Sequence, residues 1–270
     1  MANDSIASLR VTSPKSFSLR AQRTDATLGW EKDSADEELA KVKQRIDVLQ
    51  QRLFAEERRS VLLVLQAMDA AGKDGTIRNM LSGLNPAGFR ISAFGVPGGP
   101  ETRHDYLWRV HSEVPAKGQI GIFNRSHYED VLVVRVKNFV PKSVWSKRYD
   151  HIRGFEQLLV DEGTTVIKCF LNVSKDVQRE RLQERIDDPE KRWKFRLGDL
   201  DDRKLWSKYQ DAYQAAIERT STSSAPWYVV PADRNWVRNL AVAKILLHHL
   251  EQIDPKLPVP EDGIEGLVVK

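Results

Sequence analysis

Cysteine is nearly missing from this 270-residue chain. Cys169 stands alone, so no disulfide can form within the chain. Its place in the apolar run 165–171 points to a buried, inert thiol in a reducing compartment. Long apolar runs are also missing. No stretch reaches the roughly 18 apolar residues that a membrane-spanning helix needs. Residues 1–18 are polar and lack the apolar centre of a secretory leader. A soluble, cytoplasmic protein is expected. Charge of one sign is scarce, since 42 Lys and Arg against 38 Asp and Glu leave +4. Such an excess permits a polyanionic partner without demanding one. No internal repeat is visible.

Apolar residues are plentiful, at 41% of the chain with seven tryptophans, enough for one sizeable core. Residues 60–65, 91–94, 118–123, 165–171 and 227–230 are short apolar runs of the kind found in buried parallel strands. Helical patterns lie between them at 33–58, 73–84, 102–111, 126–136, 141–161 and 236–250. A long charged region, 174–219, reads as helical with breaks near Asp187-Asp188-Pro189 and Leu197-Gly198. In 33–58, Asp33-Ser34 offers a cap, and Leu39, Val42, Ile46, Leu49 and Leu53 share one face. That stripe fits either packing on the domain or a coiled-coil seam of about two heptads. Strands alternating with helices predict an α/β fold of three layers, a mostly parallel five-stranded sheet with helices on both faces. The domain spans 33–254, between an N-terminal arm at 1–32 and a Pro-rich tail at 255–270.

The segment Ala67-Met68-Asp69-Ala70-Ala71-Gly72-Lys73-Asp74 follows a strand and opens a helix. This arrangement makes a phosphate site, because backbone N–H groups converge where the helix dipole favours anions. Gly72 allows close approach, and Lys73 supplies a point charge to the transferring phosphate. The match to a Walker A loop is imperfect: Ala67 replaces the first glycine, and Asp74 replaces the metal-binding Ser or Thr. Ala70, Ala71, Gly75, Thr76 and Arg78 complete the candidate phosphate- and nucleotide-binding set. Asp69 and Asp74 would repel a polyphosphate unless Mg²⁺ bridges them.

A second strand runs into Asn124-Arg125-Ser126-His127-Tyr128-Glu129-Asp130. Asn124 stands where a metal-binding Asp would end a Walker B strand, Arg125 is placed for phosphate, and Glu129 lies one helical turn on. Ser126 can cap the following helix. The alternative for this cluster is a capped helix with solvent-facing charges. Ligand sites at the carboxyl edge of such sheets favour function. The region 179–208 occupies the position of a helical lid, although acidic residues nearly balance its basic ones and a solvated face is the plainer reading.

Asp69-Ala-Ala-Gly-Lys73, Asn124-Arg-Ser-His-Tyr128, Glu129-Asp-Val131 and Lys191-Arg-Trp-Lys-Phe195 closely resemble the polyphosphate kinase 2 family. So do Asn85-Pro86, His104-Asp105 and Tyr106-Leu-Trp-Arg109, so that the likeness covers residues 49–250. The resemblance implies a thymidylate-kinase-like P-loop fold with a helical lid. It implies Mg²⁺-dependent phosphate transfer between inorganic polyphosphate and a nucleotide, with Mn²⁺ as an alternative ion. By the resemblance Asp69 organises the metal and acceptor, Lys73 binds the transferred phosphate and Arg125 contacts phosphate. Arg181, Arg185 and Arg192 are the lid arginines it suggests. The pairing of Asp74 and Gly75 with Asn124 and Glu129 looks like the subgroup that accepts both AMP and ADP. Asp69, Asp74 and Glu129 are then the candidate metal carboxylates. Implied partners are polyphosphate and adenine nucleotides, with guanine nucleotides a second option, in a homodimer or homotetramer; no nucleic acid or membrane is expected.

The acceptor oxygen of a nucleotide phosphate is already anionic, so in-line transfer needs no general base and no phosphoenzyme. His127 is therefore expected to be structural. Arg78, Lys137, Lys142 and Arg148 are candidates for a basic polyphosphate track. Two rival functions stand beside this one: an ATP-dependent nucleoside monophosphate kinase on the same fold, and a non-catalytic polyphosphate-binding protein with a degenerate loop.

Overall fold

The computed structural model describes residues 2–269. Five strands form: β1 (Ser60–Ala67), β2 (Phe89–Ala93), β3 (Ile120–Asn124), β4 (Thr164–Asn172) and β5 (Trp227–Pro231). They make one sheet in the order β2-β3-β1-β4-β5, and every pair is parallel. β1 is buried at each position, as its unbroken apolar sequence predicts. Strand order reverses on either side of it, which opens a crevice at the carboxyl ends of β1 and β3.

Seven longer helices are α1 (Lys32–Glu56), α2 (Lys73–Leu81), α3 (Arg148–Asp161), α4 (Lys175–Asp187), α5 (Leu197–Lys204), α6 (Trp206–Thr220) and α7 (Asn235–Ile253). They lie on both faces of the sheet, and neighbouring residues of β5 show this directly. Successive side chains of a strand point to opposite faces. Trp227 Nε1 donates to Thr220 Oγ1 on α6 (2.9 Å), while Tyr228 OH meets His249 Nε2 on α7 (3.0 Å). The stripe Leu39, Val42, Ile46, Leu49 and Leu53 is buried, and α1 packs on α7 of the same chain. It is used inside the domain rather than as a coiled-coil seam.

Local chemistry moved several boundaries. α1 starts at Lys32 after Glu31, and Ser34 Oγ donates to the Glu31 carbonyl instead of capping. The segment expected as one helix at 102–111 is a 3₁₀ turn, Gly99–Arg103, and a short helix, Trp108–His111. The stretch 126–136 likewise divides into His127–Asp130 and Val133–Val136, although Ser126 caps as expected by accepting from Tyr128 N (3.2 Å). Residues 141–161 split into Lys142–Trp145 and α3. The N-terminal arm does more than cover the domain. Leu9 and Val11 pair with β5 through Val11 N to Trp227 O and Val229 N to Leu9 O (2.9 Å each), closing that sheet edge. Between Leu182 and Tyr209 no residue is buried, so the lid is a projecting segment whose return helix α6 re-enters the core. Among the described residues no helix is long and apolar enough to cross a membrane.

Beneath the sheet's carboxyl edge sits a buried ionic cluster. Lys168 of β4, fully buried, is paired with Glu156 of α3 and donates to Thr220 O (2.7 Å). Glu156 Oε1 also accepts from Tyr128 OH (2.7 Å) and lies 3.3 Å from His127 Nε2. His127 thus belongs to the scaffold, as its neighbours required. Removing one partner of a buried pair strands the other charge, at a cost of about 3–5 kcal/mol. Glu156→Gln and Lys168→Met are each expected to destabilise by about that amount, and the double variant by much less than the sum. Urea denaturation of the four proteins measures this, and simple additivity would show that the two side chains do not act as a unit.

Candidate active site

β1 ends at Ala67, and the chain turns through Met68–Gly72 before α2 begins at Lys73. Ala67 still belongs to the strand and pairs in register with Leu171. No left-handed turn falls at Ala67, where the Walker A pattern has its first glycine. Positive φ falls instead on Ala70 (61°) and Gly72 (103°). A left-handed alanine costs roughly 1–2 kcal/mol, so part of the folding free energy goes into the shape of this loop. Lys73 is nearly buried, and its Nζ arcs back to donate to the Ala67 carbonyl (3.1 Å). Its pKa is lowered to about 8, by burial first and by the charge of Arg125 second, against the opposing pull of Asp69, Glu129 and Asp74.

The adjacent strand β3 ends two residues short of β1, with Asn124 opposite Leu65. Arg125 follows in a left-handed conformation (φ 63°). That turn aims its guanidinium across the crevice, where Nη2 donates to Asp69 Oδ1 (2.6 Å) and Nη1 lies 3.6 Å from Glu129 Oε2. Burial works against the Arg125 charge, but Glu129 and Asp69 more than offset it and raise its pKa. Asn124 Nδ2 donates to Asp74 Oδ1 (2.6 Å), tying the end of β3 to the first turn of α2. Glu129 is withdrawn behind these groups. Burial raises its pKa against the opposing charges of Arg125 and Lys73. Gln66, with its amide turned to meet the carboxylate, donates to Glu129 Oε1 (3.1 Å).

Six residues singled out in the sequence therefore meet at one edge: Asp69, Lys73, Asp74, Asn124, Arg125 and Glu129. The remaining candidates divide. Arg181 of α4 donates to the carbonyls of Ala70 and Ala71 (3.3 Å each), so it braces the loop from outside. Thr76 is fully buried and faces the α7 side, while Gly75 packs against Arg238 of α7. Arg78 lies exposed on α2. Arg185 pairs with Asp199 of α5 (3.7 Å), and Arg192 is turned to the Ile186 carbonyl (2.7 Å). Of the suggested basic track, Arg148 is paired with Asp130 (2.7 Å) and Lys137 with Asp202 (2.8 Å). Asp199 also feels this site: burial raises its pKa first, and the charge of Asp69 next.

Sequence reading missed Gln178, which donates to the Asp69 carbonyl (3.0 Å), and Arg238 with Asn239, which lie under α2. A signal existed for Arg238, a charged residue within the apolar stripe of 236–250. Gln178 carried none.

A lysine above a helix N-terminus, an aspartate–arginine pair across two parallel strand ends and a projecting charged segment form a phosphate-transfer geometry. Known proteins agree with it. The profile of the family described as Polyphosphate kinase 2 matches residues 29–258. An AMP/ADP-polyphosphate phosphotransferase of Meiothermus ruber is 57% identical over 263 residues, 97% of this chain and 98% of that one. An ADP-polyphosphate phosphotransferase of Rhodopseudomonas palustris is 46% identical over 81% of this chain and 79% of its own. The crystal structure of polyphosphate kinase 2 from Arthrobacter aurescens TC1 superposes with a TM-score of 0.93 at 41% identity, covering 97% of this chain and 94% of the other. With the family profile spanning both the loop at 67–74 and the Asn124–Glu129 cluster, this chain belongs to the polyphosphate kinase 2 family.

Proposed function

We propose that this protein transfers the terminal phosphate of inorganic polyphosphate to AMP and to ADP. The observation that carries the reading is the juxtaposition of Lys73 with the Asp69–Arg125 pair at the carboxyl edge of β1 and β3. Support for the two acceptors comes from the Meiothermus ruber relative, whose name includes both and which aligns with nearly the whole chain.

Transfer here rests on position and charge. The amides at the start of α2 and the Lys73 ammonium receive the phosphate, and Arg125 neutralises charge that builds up between donor and acceptor. Asp69 orients Arg125 through their direct bond. No side chain has to remove a proton, because the attacking phosphate oxygen carries none at neutral pH. The lid arginine Arg185 is held by Asp199 and can exchange that carboxylate for phosphate.

Mg²⁺, or Mn²⁺ in its place, belongs to this reading. Such ions take one or two carboxylates and complete their shell with phosphate oxygens and water. Among the described residues no three His, Cys, Asp or Glu side chains gather into a metal cage, and the separate carboxylates Asp69 and Asp74 suit an ion shared with substrate. Those two would hold it, with Glu129 behind, and the ion would supply charge neutralisation for the phosphate groups. Cys169, with its thiol pushed up by burial, suits a cytoplasmic setting.

AMP, and separately ADP, incubated with polyphosphate and Mg²⁺ but no ATP should yield ADP and ATP. Product only when ATP is supplied would favour the ATP-dependent monophosphate kinase. Lys73→Ala should lower kcat by at least about a hundredfold, the scale on which removing one preorganised charge contact acts, while leaving the circular dichroism unchanged. Retained turnover in that variant would remove Lys73 from the mechanism.

A pH dependence follows as well. Lys73 in the free enzyme is charged below about 8, and kcat/KM reports groups of the free enzyme. The value of kcat/KM for polyphosphate should therefore fall as pH rises through about 8. In Lys73→Arg, whose guanidinium does not titrate in this range, the alkaline fall should disappear even though the rate is lower. An alkaline limb unchanged in that variant would assign it to another group.

A further inference from the structure

Arg238 of α7 is only 3% exposed. Its Nε donates to Thr76 Oγ1 (2.7 Å), its Nη1 to Asn235 Oδ1 (2.7 Å) and the Ala71 carbonyl (3.1 Å), and its Nη2 to Asn239 Oδ1 (3.0 Å). Every one of these acceptors is neutral. Its charged neighbour is Arg181, a second cation, which itself donates to the carbonyls of Ala70, Ala71, Ala232 and Asp233. Buried arginines normally sit against a carboxylate, because burying a charge without a counter-charge is costly. The cost is visible in Arg238, whose pKa burial lowers to about 10, with Arg181 adding to the effect.

The location of this charge is specific. A Cβ built on Gly72 would lie 2.1 Å from Arg238 Nη1. The phosphate loop therefore rests on the guanidinium, and Gly72 is required there by contact as well as by its positive φ. The Ala71 carbonyl accepts from the arginine, and a helix N-terminus such as the start of α2 offers its free amides to an anion.

We propose that Arg238 is a positioning residue for phosphate binding: it seats Gly72 from below and supplies a buried positive charge whose counter-charge is the phosphate held by the loop. The inference rests on the phosphate-loop reading of residues 67–74 and adds to it a residue more than 160 positions away in the chain. Within this arrangement the fork of hydrogen bonds shapes the loop, and the charge acts through it over a short, water-poor path.

Inorganic tripolyphosphate is the probe, with binding followed by calorimetry and by the shift in thermal midpoint of the full-length protein. Arg238→Met should weaken tripolyphosphate binding by about tenfold or more. Arg238→Lys, which keeps the charge but loses the fork, should weaken binding by clearly less than Arg238→Met, about threefold. Equal losses in the two variants would reduce Arg238 to a structural brace, and full binding in Arg238→Met would overturn the proposal outright. If Arg238→Met does not fold, Arg238→Gln, which retains a donor toward Ala71, takes its place in the same comparison. Lys73→Ala separates this inference from the reading beneath it. Undiminished binding in that variant means that the loop is not the anion site, whereas binding lost there but kept in Arg238→Met defeats only the proposal for Arg238.

Discussion

Mutual repulsion among cations governs this site. Lys73, Arg125, Arg181 and Arg238 all converge on one loop between β1 and α2. At short range and away from bulk water such charges repel by several kcal/mol per pair, so they persist only where something holds them. On the crevice side the counter-charges are Asp69, Glu129 and Asp74. On the core side Arg238 has none and is held by neutral carbonyls and amides, while Arg181 has Asp233 and Glu184 as its counter-charges. The loop is thus a thin layer between a balanced set of charges and an unbalanced one, and a phosphate entering the crevice lowers the energy of both.

That layer needs a rigid frame, which the parallel sheet provides. β1 is central and fully buried, held by β3 along Val61–Leu65 and by β4 along its whole length, so that Ala67 at its end is fixed against Leu171. The Arg125 turn departs from β3 one residue beyond the strand, and just past it His127 and Tyr128 anchor to Glu156 and, through it, to Lys168. One buried ionic cluster therefore connects the loop after β3 with β4, α3 and the last turn of the lid's return helix, α6. A left-handed Arg125 is strained by itself, and a strained residue holds its shape only when its surroundings over-determine it. The anchoring of its neighbours meets that condition.

Much of this was legible in the sequence. Five apolar runs became five strands, and two polar clusters at strand ends became one site, because burial on both faces and ligand binding at carboxyl edges leave strong local signatures. Helix continuity was less legible. The patterns at 102–111, 126–136 and 141–161 carried helical spacing but broke into short turns, since hydrogen bonds from Ser126, Asp105 and the residues around Pro141 compete with a continuous helix. Arg181 could be named but not placed. Its position in a charge run suggested a lid, whereas its donors reach five acceptors around the loop's base. Arg238 stood out as a charge within an apolar helix, but its role was not legible, because its partners Ala71 and Thr76 are remote in sequence and only the packing of α7 on α2 brings them together.

The lid's charge run also has a physical explanation. Its near balance of acid and base in the sequence becomes a set of internal pairs: Arg185 with Asp199, Lys191 with Glu184 and Asp188, and Lys137, from outside the lid, with Asp202. The exposed pair of Lys191 with Glu184 contributes little. Exchanging its carboxylate for the more highly charged oxygens of a phosphate chain therefore costs little. A lid of free arginines would repel itself and bind any anion, including small ones. A segment whose cations are already weakly paired gives them up at little cost to a ligand that brings its own charge. Balanced charge, which in the sequence looked like weak support for anion binding, is therefore compatible with it, because such pairs hold their cations only weakly.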